Sequence, residues 1–213
     1  MQKNQLRKIR YKRERKSIIV FNAEGNNKTE KNYLAKFSSR DVIIRCPSGN
    51  ATDPKNMYAE LKKYCEDNDY GKEYGDKVFL LIDSDLNSNR LSDIKEIEEN
   101  CNKLGIEIIL STPTFEVWFI NHFKYSTHEY KNCDEVLKEL KKFIKNYSKN
   151  EDIFDKVADK TSAAIQNSKG LEKHHKDLNH EIKSCDCNPY TGVYKVIESI
   201  IEISDKNKDN YNK

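Results

Sequence analysis

The chain has 213 residues, of which 36% are hydrophobic and 34% charged, with a formal net charge of +3. That is room for one large or two small domains with a modest core, and no apolar run approaches the roughly 20 residues a membrane-spanning helix needs. The charge is uneven: residues 1–16 carry eight Lys or Arg against one Glu, a net of +7 that leaves the remaining chain near −4. Such a basic arm suits a polyanionic partner, nucleic acid first, and serves equally as a solubilising tail. No apolar segment follows its charges, so it does not read as a secretory signal, and a cytoplasmic location is expected. The six cysteines are scattered and expected to be reduced thiols. Cys185-x-Cys187 has no second Cys or His pair at zinc spacing.

Ser17–Ala23 reads as a first strand, followed by turn chemistry at Glu24-Gly25-Asn26-Asn27. Thr29–Phe37 reads as a helix with Tyr33, Leu34 and Phe37 on one face, and Asp41–Arg45 as a second strand. Asp53-Pro54 supplies a cap and a first-turn proline for a helix running to about Cys65. Lys77–Asn87, KVFLLIDSDLN, carries the third strand, Val78–Ile82, apolar at every position and so buried on both faces. A helix over about Ser92–Leu104 ends at Gly105, and Ile106–Leu110 is the fourth strand. Four strands alternating with three helices predict an α/β layer with a mainly parallel sheet.

Beyond Ser111 the pattern turns helical. Helices are expected over Phe115–Phe123, Glu135–Tyr147 and about Thr161–Ile182. A last one opens at Asn188-Pro189, with Val193, Val196, Ile197, Ile200 and Ile201 as its apolar stripe. The expected organisation is an arm over 1–16 and a single domain over 17–213. Within it, an α/β core over 17–123 carries a helical extension over 124–213, whose middle is too thin in apolar residues for a core of its own.

The chemistry concentrates at strand ends. Open parallel sheets bind ligands outside the carboxyl ends of their strands, where Glu24 ends the first strand and Asp83 the third. Asp83-x-Asp85 in extended chain points both carboxylates to one side, and Glu30 lies one helical entry turn beyond Glu24. Four converging carboxylates repel unless a cation intervenes, and oxygen-only ligands favour Mg²⁺ or Mn²⁺. The alternative is that they are helix caps and loop charges.

These residues resemble a known pattern. Glu24-Gly25 after a first strand and Asp83-x-Asp85 after a third resemble the Toprim fold. Thr29-Glu30 with Tyr33, Asp53-Pro54, STPTFEVWFINHF (Ser111–Phe123) and NPYTGVYKVIESI (Asn188–Ile200) extend the resemblance to the RloB family over nearly the whole chain. It implies a Toprim-like, mainly parallel four-stranded sheet flanked by helices with a helical C-terminal extension. It also implies a magnesium-dependent nuclease acting in anti-phage or CRISPR-associated defence, beside an ABC- or AAA-type ATPase partner. Glu24 is then a metal ligand or acid/base, Asp83 and Asp85 metal ligands, and Glu116 a second-site ligand that as readily serves as a helix-start acid. His122 is a catalytic candidate and equally a core histidine on a backbone carbonyl. Lys28 and Arg45 are candidates to contact the scissile phosphate, and Asn188 to hold a site loop; each also reads as an ordinary surface or turn residue.

Two functions compete. The first is metal-dependent phosphodiester cleavage of RNA or DNA, RNA being favoured by the resemblance. The second is a non-catalytic module that binds nucleic acid or an ATPase. Phosphoacceptor chemistry on Asp83 is disfavoured, because such an aspartate usually follows the first strand. A homo-oligomer is compatible with the sequence.

Overall fold

A computed structural model describes residues 16–24, 29–149 and 151–209. Lys28 and all of the basic arm except Lys16 lie outside the described residues. Strands β1 (Ile18–Asn22), β2 (Ile43–Arg45), β3 (Lys77–Asp83), β4 (Ile106–Thr112) and β5 (Tyr190–Thr191) form one sheet in the order β2-β1-β3-β4-β5. The first four are parallel. The sheet therefore has five strands where four were expected. β5 joins antiparallel to the end of β4, pairing Thr191 with Ser111 and Tyr190 with Thr112. Asn188-Pro189 thus opens this short strand and not the last helix. The Asn188 side chain accepts from Tyr130 N–H at 3.4 Å and donates to Tyr130 C=O at 2.7 Å, which pins the segment. Thr191 Oγ1 then accepts from the Val193 N–H where the last helix begins.

The helices are α1 (Thr29–Ala35), α2 (Pro54–Asn68), α3 (Ser88–Leu104), α4 (Glu116–Asn121), α5 (Cys133–Phe143), α6 (Phe154–Val157), α7 (Thr161–Asp177) and α8 (Val193–Asp209). Period-two alternation divides the strands between two faces. Ile18, Val20, Val78, Leu80 and Ile82 pack with Met57 and Leu61 of α2 and Ile94 and Ile97 of α3. Ile19, Phe21, Phe79 and Leu81 pack on the other face with Trp118, Val136, Leu140, Val193 and Ile197. The helical second half therefore shares a core cluster with the sheet. Among the described residues no helix is long and apolar enough to cross a membrane.

Several ends differ from the periodicity, and two of them shape the site. α3 starts at Ser88, four residues earlier than expected, because the Asn87 side chain accepts the N–H groups of Asn89 and Arg90. That sets Arg90 in its first turn. α5 stops at Phe143, short of Tyr147. Ile144 is extended and Asn146 takes a positive φ of 61°, so Tyr147 leaves the helix path and turns inward.

Candidate active site

β1 and β3 are adjacent and parallel, so Glu24 and Asp83 leave the sheet at the same edge. The chain does not stay extended past Asp83. Asp85 and Leu86 both lie in the left-handed region, at φ 50° and 54°, conformations that cost roughly 1–2 kcal/mol each for residues with a Cβ and that cluster at functional sites. The turn is held by Asp85 N–H on the Pro113 carbonyl at 2.9 Å. The expectation that Asp83 and Asp85 project to one side of an extended chain is corrected here. Asp83 is turned inward to Thr114 at 2.9 Å, and Asp85 outward to the Cys133 thiol at 3.3 Å.

The acids sort into two groups by the partners they take. In the first the Arg90 guanidinium forms an ion pair with Glu24 and lies 3.9 Å from an Asp85 oxygen. Its Nε donates to the Asp83 carbonyl at 2.5 Å, and another nitrogen donates to the Thr52 carbonyl. The second is Asp83, Glu30 and Glu116. Thr114 Oγ1 is within hydrogen-bond distance of both the Asp83 and Glu116 carboxylates, the latter at 2.7 Å; its single proton serves one at a time. The Tyr147 hydroxyl donates to Glu116 at 3.0 Å.

This second group is poor in compensating donors. Glu30 and Glu116 are 6% and 2% exposed, and Glu30 Oε2 is buried with no hydrogen-bond partner among the described residues. Burial, partly offset by a backbone hydrogen bond, pushes the Glu30 carboxyl up to about 7, with the Glu116 charge adding to the rise. Asp83 is held well above the carboxylate range by burial and then by the charges of Glu30 and Glu116. Lys149, and at Glu30 also Lys31, are described cations that feel the group. Burial pulls the Lys149 ammonium down, but Glu116, Asp83, Cys133 and Glu30 together hold it above its usual value. Burial and then Asp85 push the Cys133 thiol up to about 12, so it is no nucleophile as it stands.

The remaining candidates are placed elsewhere. His122 is in the core, with Nδ1 2.9 Å from the Trp118 carbonyl and Nε2 3.4 Å from the Tyr33 hydroxyl. Burial lowers it to about 4, so it is neutral at physiological pH. Arg45 is exposed at the end of the edge strand β2, donating to the carbonyl of Ile44. Asn188 clamps the Tyr130 backbone. Residues that sequence reasoning did not single out now stand at the site: Arg90, Thr114, Cys133, Tyr147 and Lys149. Thr114 was within reach of motif reasoning, two residues before Glu116. Among the described residues no three or more His, Cys, Asp or Glu side chains are grouped so as to hold a metal ion.

The fold and the site together define an α/β protein with an acidic cluster at the carboxyl edge of a parallel sheet, the arrangement of a Toprim-like fold. A sequence model of the RloB-like protein family matches residues 18–200, and the chain belongs to that family. No curated protein and no solved structure matches it.

Proposed function

We propose that this protein is a Mg²⁺- or Mn²⁺-dependent nuclease, cutting RNA in preference to DNA, and a toxic effector in anti-phage or CRISPR-associated defence. One observation carries the reading: Glu30 and Glu116 are buried, the half-buried Asp83 lies in electrostatic range of both, and one Glu30 oxygen is without a partner among the described residues. Buried carboxylates in that state hold protons or require a cation. A donor set made only of oxygen fits magnesium or manganese. Asp83, Glu30 and Glu116 would hold the ion, with Glu24 and Asp85 as further carboxylates in the Arg90 group. A bound ion there supplies an activated water and neutralises charge developing on a phosphate.

The chain's own residues prepare that chemistry. Thr114 and Tyr147 fix the orientation of Asp83 and Glu116, and Arg90 holds Glu24 against the end of β3. Lys149 brings a positive charge to the cluster and would supply it to a phosphate oxygen. His122 and Asn188 take no part; they hold the core and β5. The test is cleavage of mixed RNA and DNA with and without Mg²⁺ or Mn²⁺, by the parent and by Asp83→Asn. Metal-dependent cutting that Asp83→Asn loses supports the assignment, and equal cutting by both proteins removes it.

The Arg90–Glu24 ion pair favours a second reading, since it neutralises one expected ligand from within. On that reading the protein is a docking module for nucleic acid or for an ABC- or AAA-type ATPase. Binding would then be salt-sensitive and survive Asp83→Asn.

A further inference from the structure

At the far end of α5 a second feature carries chemistry of its own. The rings of Phe123 and Phe143 are stacked face to face, with centroids 5.0 Å apart and planes 6° from parallel. Lys160 lies 5.8 Å from the Phe123 ring and Lys124 lies 6.0 Å from the Phe143 ring. Phe143 is nevertheless 37% exposed, and nearby Tyr125 is 48% exposed. Lys141, Lys142 and Lys145 are exposed sequence neighbours of Phe143, while Glu139 is paired to Lys124 and Lys142 and Asp159 to Lys160.

Lysines in the last turn of a helix answer its dipole. That need does not put a phenyl ring on the surface, stacked on a second ring and bordered by ammonium groups. A surface joining exposed aromatic faces to an excess of lysine suits a chain of alternating planar bases and phosphates. We propose that the Phe123–Phe143 stack and its lysines form a platform for single-stranded nucleic acid, on which one base stacks against Phe143 while lysines meet the flanking phosphates.

Position supports this occupant. Phe143 precedes Tyr147 by four residues, and the Tyr147 hydroxyl is bonded to Glu116. Four residues reach at most about 14 Å, so the platform lies within a few nucleotides of the acidic cluster. The choice of partner rests on the nucleic-acid reading above; the surface itself does not depend on cleavage there.

The experiment measures binding of fluorescein-labelled single-stranded RNA and DNA of about 12 nucleotides to the full chain by anisotropy, in EDTA so that nothing is cut. Phe143→Ala is expected to weaken binding about 5- to 100-fold, the loss of one stacked base, with unchanged circular dichroism and a melting temperature lowered only by the few degrees that losing the contact with Phe123 costs. Phe143→Trp retains affinity. Because Trp118, the chain's one natural tryptophan, is fully buried, the new indole reports stacking directly through quenching on binding. No binding by the parent, or equal affinity of parent and Phe143→Ala, overturns the platform. So does binding by Phe143→Trp without quenching. Phe143-dependent binding in a protein that never cleaves with metal keeps the platform and removes the nuclease reading. Metal-dependent cleavage with Phe143-independent binding does the reverse.

Discussion

Two aspartates bracket β3, one buried and one half-buried, and they are treated in opposite ways. Asp76, just before the strand, is 5% exposed. One of its oxygens accepts the Ile18 N–H and the other the Gly71 N–H, both at 3.1 Å. Its charge is spent on main-chain donors that tie the start of β1 to the turn before β3. Asp83, at the other end, has Thr114 and the Phe115 N–H, but also two more buried carboxyls beside it, and burial dominates its environment. A buried acid surrounded by donors stabilises a fold. One surrounded by other acids weakens it until something positive arrives. The amino edge of the sheet is built to hold together, and the carboxyl edge is, on the proposed function, the one that binds.

The sharpest way to break that comparison is to neutralise each aspartate. Asp83→Asn is expected to lower metal-dependent cleavage by about 100-fold or more with no loss of stability in divalent-free buffer; cleavage assays beside urea unfolding check both halves. Asp76→Ala should cost about 2–4 kcal/mol in the same unfolding experiment, because it leaves two buried N–H groups without an acceptor. A destabilised Asp83→Asn and an unaffected Asp76→Ala would reverse the picture.

The pH dependence sharpens it further. Burial raises Glu30 to about 7 in the folded chain against 4.5 for an ordinary glutamate. The folded state therefore keeps this proton longer than the unfolded one. The stability it gives, full below about 4.5, is lost as pH climbs through about 7. His122 runs the other way: burial lowers it to about 4, so its contribution is lost as pH falls from about 6.5 toward 4. Comparing the parent with Glu30→Gln cancels the histidine, which both carry. In divalent-free buffer the advantage of Glu30→Gln should grow by about 2 kcal/mol between about pH 5 and 7.5, read from denaturant midpoints. A flat difference across that range contradicts the account. The smallest effect belongs to Tyr147→Phe, which should cost about 1 kcal/mol for the bond to Glu116 and slow cleavage only a few-fold.

Much of the architecture was legible because the parallel strands are apolar at nearly every position and the helices carry their caps in sequence, as at Asp53-Pro54 and Gly105. β5 was not, since two residues after a proline carry no period. Within the site, Glu24, Glu30 and Asp83 stood out as acids at strand ends or a helix start, and Glu116 came through the family resemblance. What the spacing could not show was the sorting. Asp85 turns away because it and Leu86, neither of them glycine, adopt positive φ. Glu24 is taken up by Arg90 because Asn87 starts α3 early. Tyr147 and Lys149 reach the cluster only because α5 stops short, a consequence of tertiary packing that an amphipathic stripe running on to Tyr147 hides.

The central claim is that Asp83, Glu30 and Glu116 are a divalent-cation site. Titration calorimetry with Mn²⁺ at about pH 7.5, where Glu30 is partly ionised, tests it most directly, on the full chain and on Asp83→Asn and Glu30→Gln. The account predicts saturable binding with proton release in the parent that both substitutions abolish. Binding unchanged by either substitution, or no binding by the parent, would contradict it.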